Sequence, residues 1–142
     1  MKKFVFNWLT MFLAVVLCIG VVSCKDDDDD GNGQKIQSSR ISGFWSASNG
    51  SYEGVSFRVV YNFINSNTVV YYSTVSNSTR GWGTVEIESI PGHSGWYYSP
   101  SSMSNYTYYI LDNKIYMTNG KIFTITDSGL LEDGSNSVYT KW

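Results

Sequence analysis

The residues best suited to acid–base chemistry are few and stand apart along the chain. His93 is the one histidine, and it lies in "SIPGHSGW", whose Gly, Ser and Pro predict an exposed loop. Glu86 and Glu88 are two residues apart, so they share one face of a strand. Glycosidases, however, hold their two carboxylates across a bound sugar, and neighbouring glutamates on one strand are typical of a solvated face. These spacings predict no catalytic site.

Other patterns of catalysis and metal binding are missing from the sequence. Asp112, Asp127 and Asp133 lie at predicted turns, where an aspartate side chain stabilises the turn itself. The sequence contains no Gly-x-Ser-x-Gly elbow, no phosphate-binding loop and no His-Glu-x-x-His motif. Two cysteines and one histidine are too few for the usual zinc sites. We therefore expect no enzyme activity, no metal and no cofactor.

Cys24 is the cysteine whose surroundings indicate a chemical role. Lys2 and Lys3 precede the almost uninterrupted apolar run "FVFNWLTMFLAVVLCIGVV", which is the layout of a secretory signal. About 20 apolar residues could instead span a bilayer. The run ends in "VVSC", which resembles the lipobox of bacterial lipoproteins. That resemblance implies that residues 1–23 are a lipoprotein signal peptide and that the Cys24 thiol receives a diacylglycerol.

The segment after the cysteine is acidic and polar. It begins with one lysine and five aspartates: Lys25, Asp26, Asp27, Asp28, Asp29 and Asp30. Like charges in a block repel and stay solvated, and five adjacent carboxylates without glycine do not form a calcium loop. Acidic residues just after a lipidated cysteine also resemble the export signal of certain Gram-negative bacteria. That resemblance implies an outer-membrane lipoprotein facing the extracellular side, with residues 24–39 as a flexible, disordered linker.

Beyond the acidic run the charge of the chain is balanced. Without Lys2 and Lys3 the chain has eight basic and twelve acidic residues, and setting aside Lys25 and the five aspartates leaves seven of each, with Lys35 just before the predicted domain at residues 40–142. No basic face is available for nucleic acid. Because Cys18 lies in the signal segment, the mature chain keeps one cysteine, which excludes an internal disulfide.

From residue 40 onward the sequence has the pattern of β-strands. "SFRVVYNFI" and "TVEIES" alternate their side chains, and turn dipeptides separate such runs: Asn49-Gly50, Asp112-Asn113, Asn119-Gly120 and Asp133-Gly134. We count eight or nine candidate strands, near residues 41–48, 55–64, 67–75, 82–89, 95–99, 105–111, 114–118, 121–126 and 136–142. Short strands without crossover helices predict an antiparallel meander, which can remove its exposed edges by closing into a barrel.

The stretch "YTYYILDNKIYMTNGKIFTI" predicts three strands joined by two short turns. If both loops have two residues, Leu111 pairs with Lys114 and Thr118 pairs with Lys121. The face assigned to the interior then carries six residues: Tyr108, Ile110, Ile115, Met117, Ile122 and Thr124. The opposite face carries three aromatic residues and two lysines: Tyr109, Tyr116, Phe123, Lys114 and Lys121. We assign this face to the outside because charged lysine side chains are usually solvated. A register error of one residue would exchange the two faces.

The two ends of the domain carry a family resemblance. "ISGFWSAS" places Gly43 and Trp45 at the start of the first strand, similar to the Gly-x-Trp opening of lipocalins. The closing "SVYTKW" resembles the last strand of the small lipocalin-like domains of surface lipoproteins. The resemblance covers about residues 40–142. It implies an all-β, antiparallel up-and-down meander closing into a small eight- or nine-stranded barrel, with a ligand in its mouth.

Aromatic residues make up 16% of the chain and crowd into "GWYYSPSSMSNYTYY". Tyr and Trp beside Ser and Asn are typical of adaptable recognition surfaces. The candidate ligand-binding residues are five aromatics: Trp96, Tyr97, Tyr98, Tyr106 and Tyr109. The ligand expected for them is a glycan or a small hydrophobic molecule. Alternatively, these rings merely cover the outside of the barrel. A protein-interaction or structural role in a surface complex, or inhibition of a host enzyme, is a further alternative that an outward aromatic patch would favour.

Overall fold

The structure is a computed structural model that describes residues 39–76 and 85–142. These residues belong to one compact unit, Ile36–Trp142. The predicted signal peptide, Cys24 and the acidic run from Lys25 to Asp30 lie outside the described residues. None of the helices within the described ranges is long or apolar enough to cross a membrane.

Eight antiparallel strands close into a barrel, which confirms the predicted fold class. These strands are β1 (Gly43–Tyr52), β2 (Val55–Phe63), β3 (Thr68–Val75), β6 (Ser104–Leu111), β7 (Lys114–Met117), β8 (Ile122–Thr126), β9 (Gly129–Glu132) and β10 (Val138–Lys141). Around the barrel they follow the order β2-β1-β10-β9-β8-β7-β6-β3, and β3 pairs with β2 to close the sheet. Two short strands, β4 (Glu88–Ser89) and β5 (Tyr97–Tyr98), extend the sheet beyond β3.

One predicted strand was too long, and one strand was missed. Within the predicted strand at 82–89, the described residues 85–89 contain only the two-residue β4, because β5 alone pairs with it. Strand β9 was not predicted. Its four residues, "GLLE", are too few to display an alternating pattern, and pairing with β8 and β10 holds them extended.

The first hairpin turns at a different dipeptide from the one predicted. Asn49-Gly50 lies inside β1, where the register shifts between Ser48 and Ser51, as in a β-bulge. The chain turns instead at Glu53-Gly54, whose φ angles of 48° and 79° are the two positive values that a type I′ hairpin needs.

The hairpin β6–β7 has the predicted register. Leu111 pairs with Lys114 and Tyr108 pairs with Met117, so Asp112-Asn113 is a two-residue loop. The next loop differs, because it has three residues, 118–120. The Gly120 amide donates to the Met117 carbonyl at 3.0 Å, and Gly120 has a φ of +85°, as in a type I turn followed by a left-handed glycine.

The longer loop moves β8 by one residue, so the predicted assignment of its two faces was wrong. Ile115 pairs with Phe123, and Tyr116 pairs with Ile122. Phe123 is therefore inside the barrel and fully buried, whereas Ile122 and Thr124 face outward.

Large side chains fill most of the barrel lumen. The buried cluster consists of Ile41, Tyr61, Phe63, Val69, Tyr108, Ile110, Ile115, Met117, Phe123, Leu130 and Tyr139. Burying a side chain of the size of leucine or phenylalanine stabilises the fold by roughly 1.5–3 kcal/mol. The lumen is thus the main hydrophobic core of this domain.

A second apolar cluster lies on the outside of the barrel. Its buried members are Val60, Val70, Tyr72, Ile90 and Tyr98, and Phe44, Trp96 and Trp142 pack against them. The segment 85–103, which contains β4 and β5, therefore covers the outer face of β2 and β3. The neighbouring Tyr71 and Tyr72 belong to the inner and the outer cluster respectively, because successive side chains of a strand point to opposite sides.

Candidate ligand-binding site

The two ends of the barrel differ in the residues that they present to the lumen. The first end carries the turns at 64–67, 112–113 and 127–128, where apolar side chains of the lumen cluster lie beside a cavity lined by Arg40, Asn113, Ile125, Thr126 and Asp127. The second end carries the turns at 53–54, 118–120 and 133–137. The inward-facing polar side chains described below lie toward this second end.

Glu132 is a buried carboxylate at the last position of β9. Leu130 and Glu132 alternate with Leu131, so both face inward, and Glu132 is 8% exposed. A buried charge needs compensating partners. Lys121, just before β8, forms an ion pair with one carboxylate oxygen. The Tyr139 hydroxyl on β10 donates a hydrogen bond of 2.8 Å to the other.

The environment keeps the tyrosine hydroxyls of this end protonated. Burial raises the pKa of the Tyr139 hydroxyl well above its usual value, and the hydrogen bond to Glu132 raises it further. Burial also raises the pKa of Tyr61, with a smaller contribution from the Glu132 charge. Both hydroxyls are therefore hydrogen-bond donors at neutral pH.

Tyr61 lies at the centre of this arrangement and is 1% exposed. Its ring contacts those of Phe123, Tyr139 and Tyr71, with centroid distances of 5.2, 5.3 and 5.4 Å. Its hydroxyl has no hydrogen-bond partner among the described residues. An unsatisfied buried hydroxyl costs roughly 1–3 kcal/mol. A group from outside the described structure would remove that penalty.

Half-buried groups separate this hydroxyl from solvent. Tyr71 on β3 and Tyr106 on β6 pack against the lumen cluster but remain partly exposed, and both are close enough to Tyr61 to affect its pKa. The Lys121 side chain is 40% exposed. We define the lumen site as Tyr61, Tyr71, Tyr106, Lys121, Glu132 and Tyr139.

The structure does not bring the five sequence-predicted binding residues together. Tyr106 belongs to the lumen site. Trp96 and Tyr98 belong to the outer cluster, where the Tyr98 hydroxyl donates to Glu88 at 2.6 Å. Tyr97 is half-buried on β5. Tyr109 is exposed on the outside of the barrel.

Gly43 and Trp45, the two residues similar to the Gly-x-Trp opening of lipocalins, have structural roles at the start of β1. Gly43 has a φ of +101°, a conformation that favours glycine. The indole Nε1 of Trp45 donates a hydrogen bond of 2.6 Å to the carbonyl oxygen of Ile41.

His93 takes part in packing instead of lying in a fully exposed loop. Its ring stacks on Trp142 at 3.9 Å. The Arg58 guanidinium lies over Trp96 and Trp142, at 5.1 and 5.7 Å from the ring centroids, and donates to the Ser46 hydroxyl at 2.8 Å. These ring, cation–π and hydrogen-bond contacts hold the segment 85–103 against the barrel.

The predicted carboxylates gather into no metal-binding group. Glu86 is exposed, and Asp133 on the outside of the barrel pairs with Lys114 at 2.6 Å. Within the described ranges, no three His, Cys, Asp or Glu side chains lie close enough to hold a metal ion.

Sequence reasoning missed five residues of the lumen site: Tyr61, Tyr71, Lys121, Glu132 and Tyr139. A signal for Glu132 exists in "GLLEDG", where a single acidic residue ends an apolar run. Lys121 was assigned to the outside, because the assumed two-residue loop placed it there.

Fold and site together define a small closed antiparallel barrel with a filled lumen and a partly buried ion pair at one end. Comparison of the chain with known protein families, with curated proteins and with solved structures finds no match.

Proposed function

We propose that this chain is a lipid-anchored lipoprotein of the outer membrane, exposed to the extracellular side, and that its barrel is a non-catalytic binding module. The "VVSC" lipobox with Cys24, followed by the acidic run from Lys25 to Asp30, supports the anchor and the export. Two or more acyl chains hold a protein firmly on a membrane, whereas one chain holds it weakly. The likeness to lipocalins supports a ligand at the end of the barrel.

The observation that carries the binding proposal is the buried Tyr61 hydroxyl, which has no partner among the described residues and is close enough to the Glu132 carboxylate for that charge to raise its pKa. A small polar ligand that reached this hydroxyl would satisfy it. The lumen beyond is occupied by side chains such as Phe63 and Phe123, both almost fully buried. The polar end and the filled lumen therefore favour a small polar ligand of the glycan class over a long hydrophobic one.

Binding is tested with the full-length lipidated protein in detergent, using intrinsic tryptophan and tyrosine fluorescence against a glycan panel and a lipid panel. We expect a response to polar ligands that Tyr61→Phe weakens at least about tenfold. Tyr109→Phe is the matched control, because Tyr109 lies on the outside. No response in either panel, or an equal response in Tyr61→Phe, would refute the binding site.

The anchor is tested separately. Mass spectrometry of the native protein should show a diacylglyceryl group on Cys24 and no residues 1–23. Protease added to intact cells should degrade the wild-type domain, and Cys24→Ala should carry no diacylglyceryl group and should retain residues 1–23. A bare Cys24 thiol with Met1 still present would contradict the anchor.

A second candidate function is protein interaction through the outward apolar face, which consists of Tyr109, Leu111, Tyr116, Ile122 and Val138. Tyr109, Leu111 and Val138 are 54%, 57% and 45% exposed, and the Tyr109 and Tyr116 rings stack at 5.0 Å. Exposed apolar patches often mark interaction sites. The combined Tyr109→Ser and Leu111→Ser variant should release a co-purifying partner if this face binds one.

A further inference from the structure

We propose that the ligand of the lumen site is a neutral saccharide unit, held through two neighbouring hydroxyl groups. This inference rests on the proposed binding function and adds the chemical class of the ligand. It is carried by the charge, the hydrogen-bonding capacity and the exposed ring surface of the lumen site.

The two charges of the lumen site cancel. The carboxylate of Glu132 and the ammonium of Lys121 are in direct contact, so a ligand meets both signs at once. A sugar acid that approached Lys121 would also bring its carboxylate close to Glu132, and an amino sugar that approached Glu132 would also bring its ammonium close to Lys121. Like charges at such short range are repulsive. A neutral ligand avoids both penalties.

The hydrogen-bonding groups that remain in the lumen site both donate and accept. The lysine ammonium has three donors, and its ion pair with Glu132 uses one of them. Each carboxylate oxygen of Glu132 receives one hydrogen bond from the described residues and can accept another. The Tyr61 hydroxyl can donate and accept. A sugar hydroxyl also donates and accepts, so two adjacent hydroxyls can use the lysine, the carboxylate and the tyrosine together.

The tyrosine rings at the border of the lumen site suit the apolar face of a sugar. Tyr71 and Tyr106 are only partly buried. The face of an aromatic ring is electron-rich and attracts positive edges, such as the C–H groups on one side of a pyranose. Phe123 and Tyr61, which are almost fully buried, limit the depth. The proposed ligand is therefore a single sugar ring at the border of the lumen site, as at the end of a longer glycan.

Isothermal titration calorimetry on the full-length protein in detergent tests this class of ligand. The probes are glucose, galactose, mannose and N-acetylglucosamine, against glucuronate and glucosamine. At least one neutral sugar should bind about tenfold or more tightly than its charged counterpart. Tighter binding of glucosamine would mean that a ligand ammonium replaces Lys121, and tighter binding of glucuronate would mean an anion site. Either result overturns the neutral class.

Matched variants identify the site. Glu132→Gln should weaken sugar binding about tenfold or more, whereas Asp133→Asn, at the next residue but in the outward pair with Lys114, should leave it unchanged. Equal effects of the two substitutions would refute the assignment. If Glu132→Gln does not fold, Tyr61→Phe provides the same comparison, because its ring is retained.

The outcomes separate this inference from the proposed function. If a polar ligand other than a neutral sugar binds and Tyr61→Phe abolishes its binding, the ligand class is wrong and the binding site stands. If Tyr61→Phe changes the binding of no probe, both the proposed binding site and the proposed ligand class are wrong, and the Tyr61 hydroxyl binds only a buried water molecule.

Discussion

Two tyrosine-to-phenylalanine substitutions at the same end of the barrel should change stability in opposite directions. Tyr61 and Tyr139 are both buried and their rings are in contact. Removing either hydroxyl keeps the ring and its packing. The two hydroxyls differ in their hydrogen bonds, because Tyr139 donates to Glu132 at 2.8 Å and Tyr61 has no partner among the described residues.

The magnitudes follow from this difference. A hydrogen bond to a charged group contributes about 1.5–3 kcal/mol, so Tyr139→Phe should lower the free energy of unfolding by that amount. An unsatisfied buried hydroxyl costs about 1–3 kcal/mol, so Tyr61→Phe should raise the free energy of unfolding by a similar amount. For a domain of about 100 residues, 1 kcal/mol corresponds to a shift in Tm of about 4–8 °C.

Urea and thermal unfolding, followed by tryptophan fluorescence without ligand, measure both effects. Tyr109→Phe is the control, because an exposed substitution should stay within about 0.5 kcal/mol of the wild type. Destabilisation of Tyr61→Phe by about 1 kcal/mol or more would show that its hydroxyl is hydrogen-bonded in solution. The reasoning from an unsatisfied hydroxyl to a ligand would then be refuted.

Three further predictions concern the ion pairs, a glycine and the alkaline limit of the fold. Lys121→Met leaves a buried carboxylate with one partner fewer and should destabilise the protein by about 1–3 kcal/mol. Lys114→Met in the solvent-exposed outward pair should have a clearly smaller effect, and equal effects of the two substitutions in urea unfolding would contradict the buried pair. Gly129→Ala would place a Cβ against the backbone carbonyl oxygen of Tyr139 at a φ of +149° and should cost at least about 2 kcal/mol, whereas Gly134→Ala meets open space and should cost about 1 kcal/mol. The hydrogen bond to Glu88, together with burial, raises the pKa of Tyr98 from 10.0 to about 12. The protonated Tyr98 hydroxyl therefore stabilises the fold fully below pH 10, and this contribution is lost as the pH rises to about 12. If the tyrosinate absorbance showed a single transition near pH 10 without unfolding, the prediction would be wrong.

Predictions from the sequence succeeded where local rules decide the outcome. The alternation predicted for "SFRVVYNFI" is present in β2, where Tyr61 and Phe63 belong to the lumen cluster and Val60 to the outer cluster, because successive side chains of a strand point to opposite sides. The Asp112-Asn113 turn set the register of β6 and β7, because a two-residue loop allows only one pairing.

One error of register explains most of what was missed. Asn119-Gly120 suits a two-residue loop, but the same dipeptide also completes a three-residue loop with glycine in the left-handed conformation. The additional residue turns Phe123 into the lumen and turns Lys121, two positions earlier, to the same side. Lys121 meets Glu132 there, so the rule that lysines face water failed at a barrel end where a buried carboxylate provides the compensating charge.

The sequence by itself determined that this domain is all-β, that its strands are short and antiparallel, and where its clearest hairpin turns. These properties depend on residues close together in the chain. Only the tertiary structure decided that β9 is a strand, that the lumen is filled, and that Lys121, Glu132, Tyr139 and Tyr61 meet at one end. The physical reason is that barrel closure sets which residues of distant strands share a face, and a shift of one residue in any loop exchanges the inner and outer faces of the strand that follows.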